Sequence, residues 1–325
     1  MLVRICRYYS YPDIKRQTPG QSFTWQGITF TEENVEACDF LIILDYPKLD
    51  FKTKVHPNNI LHISLEPANE VSKYRQYGNK QVAHIFNQIK NDGKFIKSQP
   101  ALPWHLDLDY DAFKSLKPET LQKEDKIVWV TSNQRTSKQH NERMDFLDSI
   151  SDLSFIELYG RGIKPVDSKL EVMKTAKYAI AYENFRNEYN WTEKIADCFL
   201  SYTIPLYFGC NRISDYFPED AIIQIDPKDK HIKTYLKEIV TKTVYEDKLE
   251  ALKEARNLVL DTYQIFPFFA NQINAIIAKD GIGHPEEKQL FNFKGGDAYF
   301  DNYPKILDLN KIKRRIDLKF KTLRG

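Results

Sequence analysis

Cysteine and histidine are too sparse and scattered in this chain to build a disulfide framework or a zinc site. Four cysteines occur among 325 residues, and no two of them form a C-x-x-C pair. The seven histidines include no H-x-x-x-H pair, the spacing that places two zinc ligands on one helix face. Thiols beside predicted core elements indicate a reducing compartment.

The net charge is small, and long apolar runs are absent from the sequence. Lys and Arg total 47 against 45 Asp and Glu, so the formal net charge is +2 and the fold as a whole is not a polyanion binder. No apolar run of about 18 residues and no signal peptide is found, which argues against a membrane-spanning helix. We therefore expect a cytoplasmic protein, with a peripheral position at the inner face of the membrane as a second candidate.

Short apolar strands alternate with helices along most of the chain. This alternation implies parallel sheets joined by crossover helices, with ligands bound beyond the carboxyl ends of the strands. We predict an α/β fold of two Rossmann-like domains facing a cleft, divided into residues 1–124, 125–280 and a C-terminal extension, 281–325. Strands are predicted at 2–6, 40–44, 60–65, 126–131, 155–159, 178–182, 203–208 and 222–225, and helices within 135–150, at 170–177 and within 246–278, where Pro267 marks a break.

The segment from Lys177 to Gly209 has the most informative local pattern, which is strand, polar loop, helix and strand. Asn190 stands three residues before Glu193, which predicts a capping box with Asn190 at the N-cap. Glu193 and Lys194 then fall in the first helical turn, where free N–H groups and the positive dipole end attract anions. Lys194 adds a full positive charge, so we predict a diphosphate site.

The same segment resembles the donor-binding motif of the α-1,3-fucosyltransferases, glycosyltransferase family 10. The resemblance implies a bacterial or viral member with the GT-B architecture, an acceptor-side N-terminal domain and a donor domain for GDP-fucose. It also implies that Asn184 and Glu193 hold the nucleoside and that Lys194 contacts the diphosphate, with Tyr182 and Asn190 as further donor-site candidates. The matching residues are Tyr182, Glu183 and Asn184, then Thr192, Glu193 and Lys194, then Ile204, Pro205, Tyr207 and Gly209.

An arginine is a second expected contact of the donor diphosphate. A strand runs into Ser132 and Asn133, then into a basic loop and a helix. The resemblance places the arginine inside that helix, at Arg143. Arg135 is the competitor because it lies closer to the strand end. A guanidinium suits phosphate oxygens because its fork of donors matches them in pairs.

A carboxylate at the end of an N-terminal strand is the expected catalytic base. The family carries a glutamate close to a proline at a comparable strand end, and Glu66-Pro67 is the matching pair here, although the intervening serine is absent. Glu70 is the reserve candidate. A base is required because a sugar hydroxyl must lose its proton as it attacks the anomeric carbon.

Two other motifs have smaller predicted roles. The YGRG turn lacks the third glycine of a dinucleotide fingerprint, so we assign Gly160 to a tight turn. The family resemblance implies that this turn forms part of the donor-pocket wall. Asp107, Asp109 and Asp111 alternate as metal ligands can, but Ala112 and Pro118 exclude an EF-hand. We predict no metal site and no required cofactor, since Arg143 and Lys194 can neutralise the diphosphate; a divalent ion remains an open alternative.

The resemblance implies an inverting enzyme that moves L-fucose from GDP-fucose to a glycan hydroxyl, α-1,3 on N-acetylglucosamine of a lactosamine-type oligosaccharide or lipopolysaccharide. Asn190 stands where relatives often have tyrosine, so transfer of another GDP-linked deoxysugar stays open. A non-catalytic glycan- or nucleotide-binding module, and a membrane or nucleic-acid adaptor, are the remaining alternatives.

The C-terminus changes in character. Residues 310–325 contain seven basic residues against one acid, interleaved with apolar ones, which fits an anionic membrane surface. Nucleic acid is disfavoured because the tail has few aromatic stacking groups and the rest of the chain is neutral.

Overall fold

A computed structural model describes residues 1–303 of the chain, apart from residues 71, 102 and 243. Its described part contains one seven-stranded sheet, one five-stranded sheet and one two-stranded sheet. The basic tail, residues 310–325, lies outside the described residues. Over the ranges that are described, no helix combines the length and apolar character needed to cross a membrane. All four cysteines are free thiols.

The N-terminal sheet is parallel except at its β2 edge, and its order is β2-β3-β1-β4-β6-β7-β8. A separate antiparallel pair joins β5 to β14, so residues far apart in the chain close one small sheet. These strands are β1 (Leu2–Arg7), β2 (Thr24–Trp25), β3 (Ile28–Thr31), β4 (Phe40–Leu44), β5 (Phe51–Val55), β6 (Ile60–Ile63), β7 (His84–Asn87), β8 (Phe95–Lys97) and β14 (Gln289–Phe293).

The C-terminal sheet is parallel throughout, in the order β10-β9-β11-β12-β13. Its strands are β9 (Glu124–Val130), β10 (Ile156–Tyr159), β11 (Ala176–Tyr182), β12 (Ile204–Phe208) and β13 (Ile223–Gln224). The helices are α1 (Tyr110–Ser115), α2 (Lys138–Ile150), α3 (Lys169–Met173), α4 (Glu193–Leu200), α5 (Ile232–Lys242), α6 (Leu249–Leu258) and α7 (Ile265–Asp280), with a π-helical turn at Val259–Tyr263 between the last two.

Both faces of the N-terminal sheet are covered by residues from the C-terminal end of the chain. Side chains alternate across a strand, so Ile42 and Leu44 of β4 share one core with α7. The intervening Leu41 and Ile43 pack against Phe293 and its neighbours on the other face. The predicted C-terminal domain, residues 125–280, includes α7. In the structure, α7 packs against the N-terminal sheet.

Several predicted elements differ from the structure for local reasons. Thr192 caps α4 instead of Asn190, because the Thr192 hydroxyl accepts from the N–H of Lys194. The Asn190 side chain donates to the carbonyl of Phe185, and its Oδ1 accepts no hydrogen bond from the N–H groups of α4. The predicted helix at 170–177 is the shorter α3, followed by β11 from Ala176. Pro267 lies in the first turn of α7, where its missing N–H costs no hydrogen bond. The interruption between the helices falls instead at Gln264, the N-cap of α7.

Candidate functional site

The two large sheets meet at a cleft of about 530 Å³, and strand ends from both sheets supply its lining. The N-terminal sheet contributes the residues after β1 and after β6, including Tyr8 and Glu66. The C-terminal sheet contributes the loops after β9 and β11, including Asn184 and Lys194. A smaller cavity of about 190 Å³ extends into the C-terminal domain and shares Glu193 and Lys194 with the cleft. The cleft therefore lies at the carboxyl ends of parallel strands, where α/β sheets commonly bind ligands.

A buried carboxylate organises the donor-side loop. Glu183 follows β11 directly and is 2% exposed. Its Oε1 accepts from the Thr192 N–H and hydroxyl, each at 2.8 Å, and its Oε2 accepts from Lys194 Nζ at 3.1 Å. Burial raises the pKa of the Glu183 carboxyl, and the charge of Lys194 opposes the rise. The carboxylate therefore ties the strand end to the start of α4.

The first turn of α4 places the Lys194 ammonium against three side-chain oxygen atoms. Besides Glu183, the ammonium donates to Thr192 Oγ1 at 2.8 Å and to Glu193 Oε1 at 3.3 Å. Burial would lower the pKa of Lys194, but both carboxylates hold it above its ordinary value. Lys194 therefore carries a fixed positive charge at the edge of the cleft.

Glu193 is held in its charged form by neighbouring basic side chains. Burial alone would raise the pKa of Glu193, but Lys194, His105 and Lys169 hold it well below its ordinary value. Lys169 is itself anchored by the buried Asp197, whose other oxygen accepts the backbone N–H of His105 at 3.0 Å. Glu193 can therefore accept hydrogen bonds from a ligand hydroxyl across the neutral pH range.

The structure separates the two candidate arginines. Arg143 is buried, and its guanidinium donates to the carbonyl of Ser132 at 2.9 Å and to Asn184 Oδ1 at 3.0 Å. It lines the smaller cavity beside Lys194. Arg135 is exposed on the outside of α2, where it pairs with Asp145 and Asp148. Arg135 is therefore placed away from the donor-side cluster.

Glu66 stands on the opposite wall of the cleft. Its Oε1 accepts from the Tyr8 hydroxyl at 3.1 Å and lies 3.7 Å from Arg75 Nη1. Its side chain is 40% exposed, so it is accessible to a ligand in the cleft. Glu70 is exposed and is not part of the cleft lining. The geometry favours Glu66 over Glu70.

The other candidates fall into distinct structural positions. Tyr182 is buried between Trp129 and Phe208 and lines only the smaller cavity. Asn190 lines the cleft, although it is 2% exposed. Gly160 has φ +117°, and a Cβ there would overlap the carbonyl of Thr131, which supports its assignment to a tight turn.

Two of the alternating aspartates accept hydrogen bonds from nearby groups of the protein. Asp109 caps α1 and accepts from Gln21, and Asp111 accepts from the N–H of Gly20. Within the described parts of residues 1–303, no three His, Cys, Asp or Glu side chains are grouped as a metal site.

Sequence reasoning did not single out several residues of the site. Glu183 belonged to the matched motif but received no role, although its position between a strand end and a capping threonine was a usable signal. His105 and the tyrosines after β1 gave no such signal, because they meet the cleft only when the two domains are assembled. The tyrosines are Tyr8, Tyr9 and Tyr11.

Two facing, mainly parallel sheets with a cleft at their strand ends form the GT-B architecture. An α1,3-fucosyltransferase crystallised with GDP-fucose matches the fold with a TM-score of 0.50 and 15% identity, over 86% of this chain and 91% of that one. An α-glucosyltransferase in complex with UDP and a 13-mer DNA containing an HMU base also gives 0.50, at 11% identity, over 86% of this chain and 99% of that one. At these identities the likeness establishes the fold alone.

The sequence comparisons agree with the fold comparison over part of the chain. Residues 120–248 match the C-terminal model of glycosyltransferase family 10 (fucosyltransferase). Over 128 residues the chain is 27% identical to 4-galactosyl-N-acetylglucosaminide 3-alpha-L-fucosyltransferase 9 of Mus musculus and of Homo sapiens. That match covers 37% of this chain and 35% of each relative, so it spans about a third of their length. The predicted resemblance to family 10 is therefore confirmed over residues 120–248, the part of the chain that the family model matches.

Proposed function

We propose that this protein is an inverting glycosyltransferase that transfers L-fucose from GDP-fucose to a glycan hydroxyl. The observation that carries the proposal is that one cleft holds Glu66 on the N-terminal wall and Asn184, Glu193 and Lys194 on the C-terminal wall. A base and an anion site from two domains then face one bound substrate pair. The family 10 match and the fucosyltransferase relatives support fucose as the sugar.

The donor diphosphate binds beside Lys194 and Arg143. Both cations are fixed by hydrogen bonds before any ligand arrives, so little reorganisation accompanies charge development on the leaving GDP. Arg143 occupies the Asn184 carbonyl oxygen, which leaves the amide N–H groups of Asn184 for the nucleoside. Glu193 accepts from ribose or sugar hydroxyls. We propose that these charges make a divalent ion unnecessary for leaving-group stabilisation.

The transfer is a single displacement at the anomeric carbon. The acceptor oxygen forms the new bond as the bond from that carbon to the phosphate oxygen breaks, and GDP leaves with the electron pair. Glu66 takes the hydroxyl proton. A β-linked donor then gives an α-linked fucose. The fucosyltransferase relatives are named for an N-acetylglucosaminide acceptor, so we propose a lactosamine-type glycan with an α-1,3 linkage.

The environment of Asn190 favours a second candidate for the donor sugar. Asn190 lines the cleft, and its Oδ1 is buried without a hydrogen-bond partner among the described residues. An amide at this place suits a hydroxyl pattern other than that of fucose, so another GDP-linked deoxysugar is the second candidate.

A thermal-shift titration with GDP, UDP, CMP and NAD, without added metal, tests the donor assignment. GDP at about 100 times its dissociation constant should add about 2.7 kcal/mol of stability. We expect stabilisation by GDP and no comparable effect of the others. A preferential response to UDP would reject GDP-fucose as the donor, and no response to any nucleotide would favour a glycan-binding module.

An aromatic wall at the mouth of the cleft is placed to contact the acceptor. Tyr11 is 60% exposed, yet its hydroxyl donates to the carbonyl of His105 and the two rings lie 5.5 Å apart. A fixed, exposed aromatic ring can stack on the apolar face of a sugar. Tyr11→Ala should raise the KM for N-acetyllactosamine about tenfold and leave the KM for GDP-fucose unchanged.

The matched comparison is Tyr235→Ala, which removes another exposed tyrosine on α5, outside the cleft lining. Steady-state kinetics should give wild-type constants for this variant. Equal acceptor KM values for the Tyr11 and Tyr235 variants would remove Tyr11 from the acceptor site.

A further inference from the structure

A buried carboxylate lies directly behind Glu66. Asp45 follows β4, is fully buried and has φ +54°. Its Oδ1 accepts the backbone N–H of Leu65 at 3.0 Å and of Glu66 at 3.4 Å. A non-glycine residue in the left-handed region is uncommon and is found where the surroundings enforce it. Asp45 therefore fixes the backbone that presents Glu66 to the cleft.

Arg75 is shared between the two carboxyl groups. Its Nη1 lies 3.8 Å from Asp45 Oδ2 and 3.7 Å from Glu66 Oε1. Asp45 Oδ2 and Arg75 Nη1 are both buried and make no direct hydrogen bond to the described residues. The guanidinium is packed over the ring of Tyr46 at 5.0 Å, so it cannot swing away from this position at low cost.

The groups that face this pair come from every surrounding element. They are Tyr8 and Tyr9 after β1, Tyr46 after β4, Glu66 after β6, Tyr74 and Arg75 on the 3₁₀ turn Lys73–Tyr77, and Tyr299 from the C-terminal segment. Arg75 is the one cation among these groups, and it faces two carboxylates.

We propose that Asp45 and Arg75 are positioning residues for Glu66, and that the ionisation of Asp45 decides how Arg75 divides its charge between the two carboxyl groups. The proposal rests on the proposed function, since it assigns a partner to the proposed base. While Asp45 is protonated and neutral, the charge of Arg75 interacts with the Glu66 carboxylate alone. Once Asp45 is ionised, Arg75 is shared, and Glu66 stands beside a second negative charge and becomes a stronger base.

The protonation of Asp45 changes near neutral pH. Burial, together with the charge of Glu66, raises the pKa of Asp45 to about 7, against the effect of Arg75. Turnover should therefore rise as the pH passes through this value, because Asp45 gains its charge there.

Asp45→Asn is the informative variant. An asparagine Oδ1 can accept the same two N–H groups, and asparagine tolerates positive φ better than most residues. The test compares profiles of kcat/KM from about pH 5 to about pH 9. Wild type should show an inflection near pH 7, the value about which Asp45 titrates. The variant should lack this inflection and be roughly tenfold slower on the alkaline side, with an unchanged KM for GDP-fucose.

Superimposable profiles for wild type and Asp45→Asn would overturn the proposal, because a purely structural role of Asp45 leaves the pH dependence unchanged. A second readout is independent of turnover: carbon NMR of aspartate-labelled protein should show a carboxyl signal titrating near pH 7 that is missing from the variant. Arg75→Met should raise that midpoint further. If wild type transfers no fucose, the proposed function fails, and the NMR titration still decides whether Asp45 and Arg75 are coupled; an Asp45 midpoint near 4 rejects the coupling.

Discussion

Replacing Glu66 with glutamine is expected to lower kcat by about 10²- to 10⁴-fold, the usual contribution of a positioned general base. Glutamine keeps the shape of the side chain, and its carbonyl oxygen can still accept from the Tyr8 hydroxyl, which bonds Glu66 Oε1 at 3.1 Å. It cannot take the acceptor proton. Initial rates with saturating donor and acceptor measure the loss, while GDP affinity should remain at the wild-type value.

Glu70→Gln is the matched variant, four residues away on the same loop. Glu70 is exposed and is not part of the cleft lining, so its kcat should stay within about twofold of wild type, as for most surface changes. If Glu70→Gln instead caused the large loss and Glu66→Gln turned over normally, the base would be Glu70.

Lys194→Met should cause the largest loss of stability among the site variants. It leaves Glu183 and Glu193 without the cation that pairs with both, at 3.1 Å and 3.3 Å. Removing one partner of a buried ion pair typically costs about 3–5 kcal/mol. Urea unfolding at neutral pH measures this loss, and donor affinity should fall with it.

The stability deficit of Lys194→Met should depend on pH. Burial raises the pKa of Glu183 even in the presence of Lys194, and removal of the lysine raises it further. A carboxyl whose folded pKa lies above its unfolded value destabilises the protein once it ionises, so the deficit should shrink as the pH falls. A deficit that grew on acidification would contradict this account.

Two further variants separate this effect from the loss of any lysine. Lys242→Met removes an exposed partner of Glu238 on α5 and should cost less than about 1 kcal/mol. Glu183→Gln combined with Lys194→Met should recover part of the lost stability, because it removes one of the two orphaned charges. Equal losses for Lys242→Met and Lys194→Met would show that Lys194 is not part of a buried cluster.

The donor-side unit could be predicted from the sequence because its cues are local. The strand ending at Tyr182, the helix that begins at Glu193 and the strand ending at Phe208 all lie close to their predicted positions. The cap was assigned to the wrong residue because Asn190 and Thr192 are both good caps. Only the contact of Thr192 with Glu183, nine residues away, decides between them.

The choice of Arg143 over Arg135 also had a local cue. Arg143 shares the helical face of Leu147 and Ile150, which are buried, so its spacing points inward. The partners of Arg135 lie on the outer face of α2.

Long-range packing could not be predicted from periodicity. The apolar pattern of α7 indicates a buried helix but not which sheet buries it, and it packs on the N-terminal sheet. The same limit applies to Asp45 and Arg75. They are 30 positions apart in the sequence. Only the neighbouring ends of β4 and β6, together with the 3₁₀ turn Lys73–Tyr77, bring them to Glu66.

Incubation of the protein with GDP-fucose and N-acetyllactosamine, followed by mass spectrometry and NMR of the glycan, tests the central claim most directly. We expect a gain of one deoxyhexose on N-acetylglucosamine, linked α, with wild-type protein and a far slower gain with Glu66→Gln. A β-linked product would contradict inversion. No glycan product from GDP-fucose, together with transfer from a UDP-sugar, would contradict the proposed function as a whole.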